Sequence, residues 1–94
     1  MTNERANKRI ETSPVFLKHL QTVPSEVRIA FRDAYELFLE NPNHPSLRNH
    51  ALTGTYQEFR SIDITGDWRV HYREEPERFL FVNIGTHEML YGKE

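Results

Sequence analysis

Apolar residues change their spacing about half-way along the chain. Between Pro14 and Glu40 they recur every three or four positions, as in a helix with one buried stripe; from Tyr56 onward they alternate, as in strands with one buried face. The first helix opens at Pro14, whose fixed φ suits a first helical turn, with Thr12 or Ser13 as cap and Phe16, Leu17 and Leu20 as stripe. The second has start signals from Thr22 to Ser25 and one face of Val27, Ala30, Phe31, Ala34, Leu37 and Phe38, and Asn41-Pro42 ends it. Ahead of both lies a polar segment, residues 1–12, in which Lys8-Arg9-Ile10-Glu11 fits a short edge strand. Residues 41–55 hold two prolines, three asparagines and Gly54 with few large apolar side chains, and read as an ordered loop.

Strands are predicted at about 56–64, 68–73 and 78–85. No repeat or linker interrupts the chain, so a single domain over 1–94 is expected, of the α+β class: two N-terminal helices packed on one face of a small antiparallel β-sheet. Parity fixes much of the pairing. A three-residue loop Thr65-Gly66-Asp67 sets Ile64 opposite Trp68, Ile62 opposite Val70 and Arg60 opposite Tyr72. A turn near Glu75-Pro76-Glu77 sets Val70 against Leu80 or Val82. The face toward the helices is then Ile62, Ile64, Trp68, Val70, Tyr72, Leu80, Val82 and Ile84. The other carries Phe59, Ser61, Asp63, Arg69, His71, Arg73, Phe79, Phe81 and Asn83, a mixture of cations, hydrogen-bonding groups and aromatics suited to phosphates and unstacked bases. A solvated face with its phenylalanines covered by a tail or partner is the alternative.

Composition narrows the function classes. A hydrophobic share of 37% and a charged share of 28% are ordinary for a folded domain. No apolar run approaches the ~20 residues that cross a bilayer. Met1–Lys8 is polar rather than signal-like, so a cytoplasmic protein away from membranes is expected. The absence of cysteine removes disulfides, thiolate metal sites and cysteine nucleophiles. Histidines 44, 50, 71 and 87 match no compact ligand spacing, and there is no Gly-rich phosphate loop or serine elbow, so neither metal nor cofactor is expected. The net charge of −2 gives no general attraction to nucleic acid. The charge is uneven, however: residues 43–73 hold Arg48, Arg60, Arg69 and Arg73 against Glu58, Asp63 and Asp67, while 74–94 hold two bases against five acids. A local basic surface is therefore compatible with the acidic total.

Four short signatures lie in order: His44-Pro45-Ser46-Leu47-Arg48, His50-Ala51-Leu52-Thr53-Gly54, Gly66-Asp67-Trp68-Arg69-Val70-His71-Tyr72, and Ile84-Gly85-Thr86-His87 through Tyr91-Gly92. In that order and spacing the chain resembles, over roughly residues 13–92, the RelE/ParE superfamily of toxins from type II toxin–antitoxin systems, most closely its YafQ-like branch. The resemblance implies two helices on an antiparallel sheet, a cognate antitoxin as partner and cleavage of messenger RNA within the ribosome. The ParE branch shares the fold without that chemistry, so fold alone does not settle function. Carried over by position, the pattern implies catalytic roles for His50, Asp67, Arg69 and His87, with His87 principal, and a substrate contact for Tyr91. Arg48 and Arg60 are further candidates for holding substrate. Ser61 stands where the YafQ type tends to have an aspartate, and Asp63 where it tends to have a histidine.

Cleavage of RNA without a metal needs a base for the 2′-hydroxyl, a cation for the charged phosphorane and an acid for the 5′ leaving oxygen. His87 is the candidate acid, Arg69 the phosphate clamp, His50 the base or a substrate-positioning group, and Asp67 the orienter of a histidine or simply part of the turn. Arg69 has a competing role, an ion pair with Asp63 directly opposite; the two are compatible, and Asp63 reads as structural. His71 matches no site of the family and reads as a solvated histidine, while Trp68, Tyr72 and Phe31 read as core. Two functions stay open. One is a metal-independent endoribonuclease toxin acting on messenger RNA and the ribosome; the other is a non-catalytic module of the same fold that binds an antitoxin or another protein.

Overall fold

The computed structural model describes residues 8–92; the polar stretch 1–7 lies outside the described residues. The elements run β1 (Arg9–Thr12), α1 (Pro14–Leu20), α2 (Ser25–Glu40), β2 (His50–Ala51), β3 (Arg60–Thr65), β4 (Trp68–Glu74), β5 (Arg78–Thr86) and α3 (His87–Tyr91), with 3₁₀ turns at Pro45–Leu47 and Gly54–Tyr56. Three helices pack on a five-stranded sheet of order β1-β5-β4-β3-β2. The sheet is mixed, because the edge strand β1 runs parallel to β5 while the other neighbours are antiparallel. The expected α+β class holds, extended by α3 and by β2, a two-residue strand inside the segment read as loop.

Ser13 starts α1 as its cap. Its Oγ accepts the Phe16 amide proton at 3.0 Å and donates to the Val82 carbonyl at 2.9 Å, so one hydroxyl both opens the helix and fastens it to the sheet. Phe16 is the buried anchor of α1; Leu17, expected in the stripe, is 46% exposed because it lies one position round the helix from that contact. On α2 the predicted face packs inward, with Val27, Ala34 and Phe38 buried and Phe31 and Leu37 against them. Phe38 is the hub: its ring meets Tyr72 and Phe79 at 5.0 Å and Phe81 at 5.4 Å, all edge-on.

The register corrects two expectations. In the first hairpin Arg60–Tyr72 and Ile62–Val70 pair as predicted, but near the tip Thr65, not Ile64, faces Trp68; Ile64 is an extra, bulged residue. The turn is then Gly66-Asp67, with Gly66 at φ 53 where a side chain would strain the backbone. In the second hairpin Val70 pairs with Ile84, not with Leu80 or Val82. Tyr72 faces Phe81 and His71 faces Asn83, leaving Val82 unpaired as a bulge. That bulge reverses parity along β5. Phe79 and Phe81, assigned above to the open face, therefore join the core at 4% and 0% exposure.

A polar knot fixes the segment between α2 and β2. Asn49 Nδ2 donates to the Pro42 carbonyl at 2.9 Å and to Tyr72 Oη at 2.6 Å, and Asn49 Oδ1 accepts from Arg60 Nε at 2.8 Å. With Leu47 fully buried beside it, the knot holds His50 at a set place on the sheet edge.

Candidate functional site

Alternation sends the side chains of Ile62, Val70 and Tyr72 to the helices and those of Ser61, Asp63, Arg69 and His71 to the other face. Two cross-strand rows result. His50, Ser61, His71 and Asn83 are successive partners from β2 to β5; Asp63, Arg69 and Gly85 form the next row. Gly85 allows α3 to fold back over this face, since a Cβ there would lie 3.1 Å from Met89 Cβ. The Thr86 hydroxyl caps the helix by accepting the Met89 amide proton at 3.2 Å.

Folding α3 back brings Tyr91 onto the first row. Tyr91 Oη lies 3.0 Å from His71 Nε2, and its ring sits 4.7 Å from that of His87 and 5.1 Å, edge-on, from that of Tyr56. Tyr56 also leans on His71, at 6.2 Å. His71 is thereby only 4% exposed, which overturns its reading as a solvated histidine. Burial first, then the nearby charges of His50 and His87, push its pKa down to about 4. With the ring neutral, Nε2 and the Tyr91 hydroxyl share one hydrogen bond, whose donor is set by the tautomer of the ring. Burial, followed by Tyr56, raises the Tyr91 pKa, so the phenol stays protonated.

His50 and His87 are exposed on either side of this buried pair. His50 Nδ1 lies 3.0 Å from the Arg48 carbonyl, which can only accept; the ring donates there and leaves Nε2 as its basic nitrogen. Arg69 is held on three sides: its Nε meets Asp63 Oδ1 at 3.0 Å, and its Nη1 donates to the Gly66 and Trp68 carbonyls at 2.9 and 3.2 Å. The anticipated ion pair is present, and Arg48 joins it from solvent, Nε to Asp63 Oδ2 at 3.3 Å. Arg69 is near enough to Tyr91 to act on its titration.

The candidates thus divide. His50, Arg69, His87, Tyr91 and Arg48 lie on or beside the histidine face. Asp67 is exposed in the β3–β4 turn and, among the described residues, makes no ion pair or side-chain hydrogen bond. Arg60 lies on the helix side, tied to Asn49 and paired with Tyr72. Two residues of the cluster are missed as site residues in the sequence: His71 reads there as solvated, and Tyr56 is not a candidate. The pairing of Arg60 with Tyr72 already put Ser61 beside His71, but the cover that Tyr91 and Tyr56 give His71 has no counterpart in that pairing. Among the described residues no three His, Asp or Glu side chains are grouped to hold a metal ion.

Residues 8–92 match the profile of a family described as the bacterial toxin of the type II toxin–antitoxin system, YafQ. The chain belongs to this family. No curated protein sequence matches it. Among solved structures, YafQ from E. coli strain BL21(DE3) superposes with a TM-score of 0.78 at 21% identity, covering 90% of this chain and 99% of that one. The E. coli DinJ–YafQ toxin–antitoxin complex gives 0.76 at 21%, covering 92% and 99%. The archaeal RelE–RelB complex from Pyrococcus horikoshii gives 0.66 at 18%, covering 85% and 94%. At these identities the superpositions establish a shared fold. No helix among the described residues is long and apolar enough to cross a membrane.

Proposed function

We propose that this toxin-family chain is a metal-independent endoribonuclease that cleaves messenger RNA, on the ribosome and in the cytoplasm, and is silenced by a cognate antitoxin. The observation that carries the reading is the cluster of His50, His71, His87 and Tyr91 beside two arginines on one open sheet face. The antitoxin rests on the family and on its relatives: E. coli YafQ assembles with DinJ and the archaeal RelE with RelB.

In this reading His50 Nε2 removes the proton of a 2′-hydroxyl. The freed oxygen attacks the adjacent phosphorus, Arg69 and Arg48 stabilise the charged phosphorane, and the P–O5′ bond breaks as protonated His87 gives its proton to the leaving oxygen. The products are a 2′,3′-cyclic phosphate, open to hydrolysis to a 3′-phosphate, and a 5′-hydroxyl. His71 stays neutral and positions Tyr91 beside His87. Asp67, exposed in the β3–β4 turn, takes no part in these steps; Arg60 serves the knot behind His50.

Primer-extension mapping after induced expression tests this. New 5′ ends are expected with the wild type and are lost, about 10²-fold or more, with His87→Ala of unchanged circular dichroism. A well-folded wild type that arrests growth without cleaving RNA would assign the chain to protein binding instead.

A further inference from the structure

A carboxylate stands among the cations of the histidine face. Each oxygen of Asp63 takes one guanidinium, Oδ1 that of Arg69 at 3.0 Å and Oδ2 that of Arg48 at 3.3 Å. The Arg69 guanidinium is also held independently of it, whereas Arg48 is placed only through its backbone. Arg69 Nη1 is fixed by the Gly66 and Trp68 carbonyls. Arg48 has a left-handed backbone, φ 49 and ψ 45, costly for a residue with a Cβ, and its carbonyl accepts from His50. Its side chain is 79% exposed and reaches Asp63 from the solvent side. Two guanidiniums therefore converge on one oxyanion, one strand repeat from the row that contains His50 and His71. The arginine fork accepts two oxygens of a phosphodiester as readily as those of a carboxylate.

We propose, resting on the nuclease reading above, that Asp63 is an internal stand-in for a substrate phosphate: its carboxylate fills the anion seat made by Arg48 and Arg69, and a phosphodiester of single-stranded RNA binds by displacing it. Asp63 then keeps both arginines in place while weakening RNA binding, because two ion pairs open before the phosphate enters. The seat has a surplus of one positive charge with Asp63 ionised and of two without it. Neutralising Asp63 is expected to tighten RNA binding about three- to tenfold and, because the seat then carries one more net positive charge, to steepen the dependence of log K on log salt by about 0.7.

The test uses a fully 2′-O-methylated single-stranded oligonucleotide, which cannot be cleaved, with anisotropy titrations at several salt concentrations on proteins checked by circular dichroism. Asp63→Asn should bind more tightly than the wild type. Glu58→Gln, the same charge change at an exposed partner of Arg73, should leave affinity near the wild-type value. Adding Arg48→Ala to Asp63→Asn should remove most of the gain. Asp63→Ser replaces Asp63→Asn if the latter fails to fold. An Asp63→Asn affinity equal to or below wild type, a gain matched by Glu58→Gln, or no binding by any variant would overturn the proposal. Cleavage of natural RNA, assayed separately, is lost only if the nuclease reading fails, so failure of the anion seat and failure of that reading are distinguishable.

Discussion

His71 shows how much one residue's meaning depends on what covers it. In the sequence it is a histidine between Val70 and Tyr72 on a face labelled polar; in the fold it is 4% exposed under Tyr91 and Tyr56. Alternation gave its side, but its burial depends on a helix that begins sixteen residues later. The folded ring titrates at about 4 and an unfolded histidine near 6.5, so between those values the unfolded chain binds the extra proton. The stability that a neutral His71 contributes is complete above about pH 6.5 and is lost as pH falls toward 4. The limiting slope is about 1.4 kcal/mol per pH unit, and the total is about 3 kcal/mol. His71→Gln, whose amide can still hydrogen-bond Tyr91, carries no such proton. Urea-unfolding curves from pH 7.5 to 4.5 should converge, the wild type losing its advantage below pH 6.5; parallel curves would show that the folded ring takes up its proton as readily as the unfolded one. Glu11, lowered mainly by Arg9, and Glu75, lowered mainly by Arg78, are common to both proteins and cancel.

At the scale of elements, the helices and the paired body of β3–β4 were legible because one stripe or one face was buried and each apolar residue marked it. Ser13, Phe38 and the Ile62–Val70 pair fall where the pattern put them. The strand β5 was misread because the bulge at Val82 leaves no mark in the composition: Phe79 and Phe81 alternate correctly with their neighbours yet point to the opposite face from the one inferred. The edge strand β2 was missed because two residues carry no period. His50, Arg69 and His87, candidates by type and family spacing, lie on or beside one face, whereas Tyr56 had no signal ahead of the 3₁₀ turn that places it. The short helix α3 owes its place to Gly85. A methyl group there meets Met89 Cβ at 3.1 Å, so Gly85→Ala should lift the helix, lower stability by about 1–2 kcal/mol and separate Tyr91 from His71. Thermal unfolding together with the cleavage assay checks this. A variant that melts lower but cleaves RNA at the wild-type rate would show that the position of α3 does not matter for activity.

Across the whole molecule the sheet separates two tasks through the thickness of one backbone layer. On one side Phe38, Tyr72, Phe79 and Phe81 supply the packing; on the other His50, His87 and the Asp63 arginines stay polar and reachable. Acidic residues gather toward the C-terminal end of the sequence, so a net charge of −2 coexists with a locally cationic seat. This separation predicts opposite outcomes for two truncations to alanine. Phe38→Ala empties the centre of the aromatic cluster and should cost about 3–5 kcal/mol, a large part of the ~5–15 kcal/mol that holds a small domain together. His87→Ala removes an exposed side chain and should change stability by less than about 0.5 kcal/mol. Measured at a temperature where both proteins are folded, the first should keep most of its cleavage activity and the second should have almost none. Folded but inactive Phe38→Ala would mean that the packing sets the histidine geometry through the strands. Ile62 and Val70 would be the connection to examine then, since each alternates along its strand with a residue of the histidine row, Ser61 or His71.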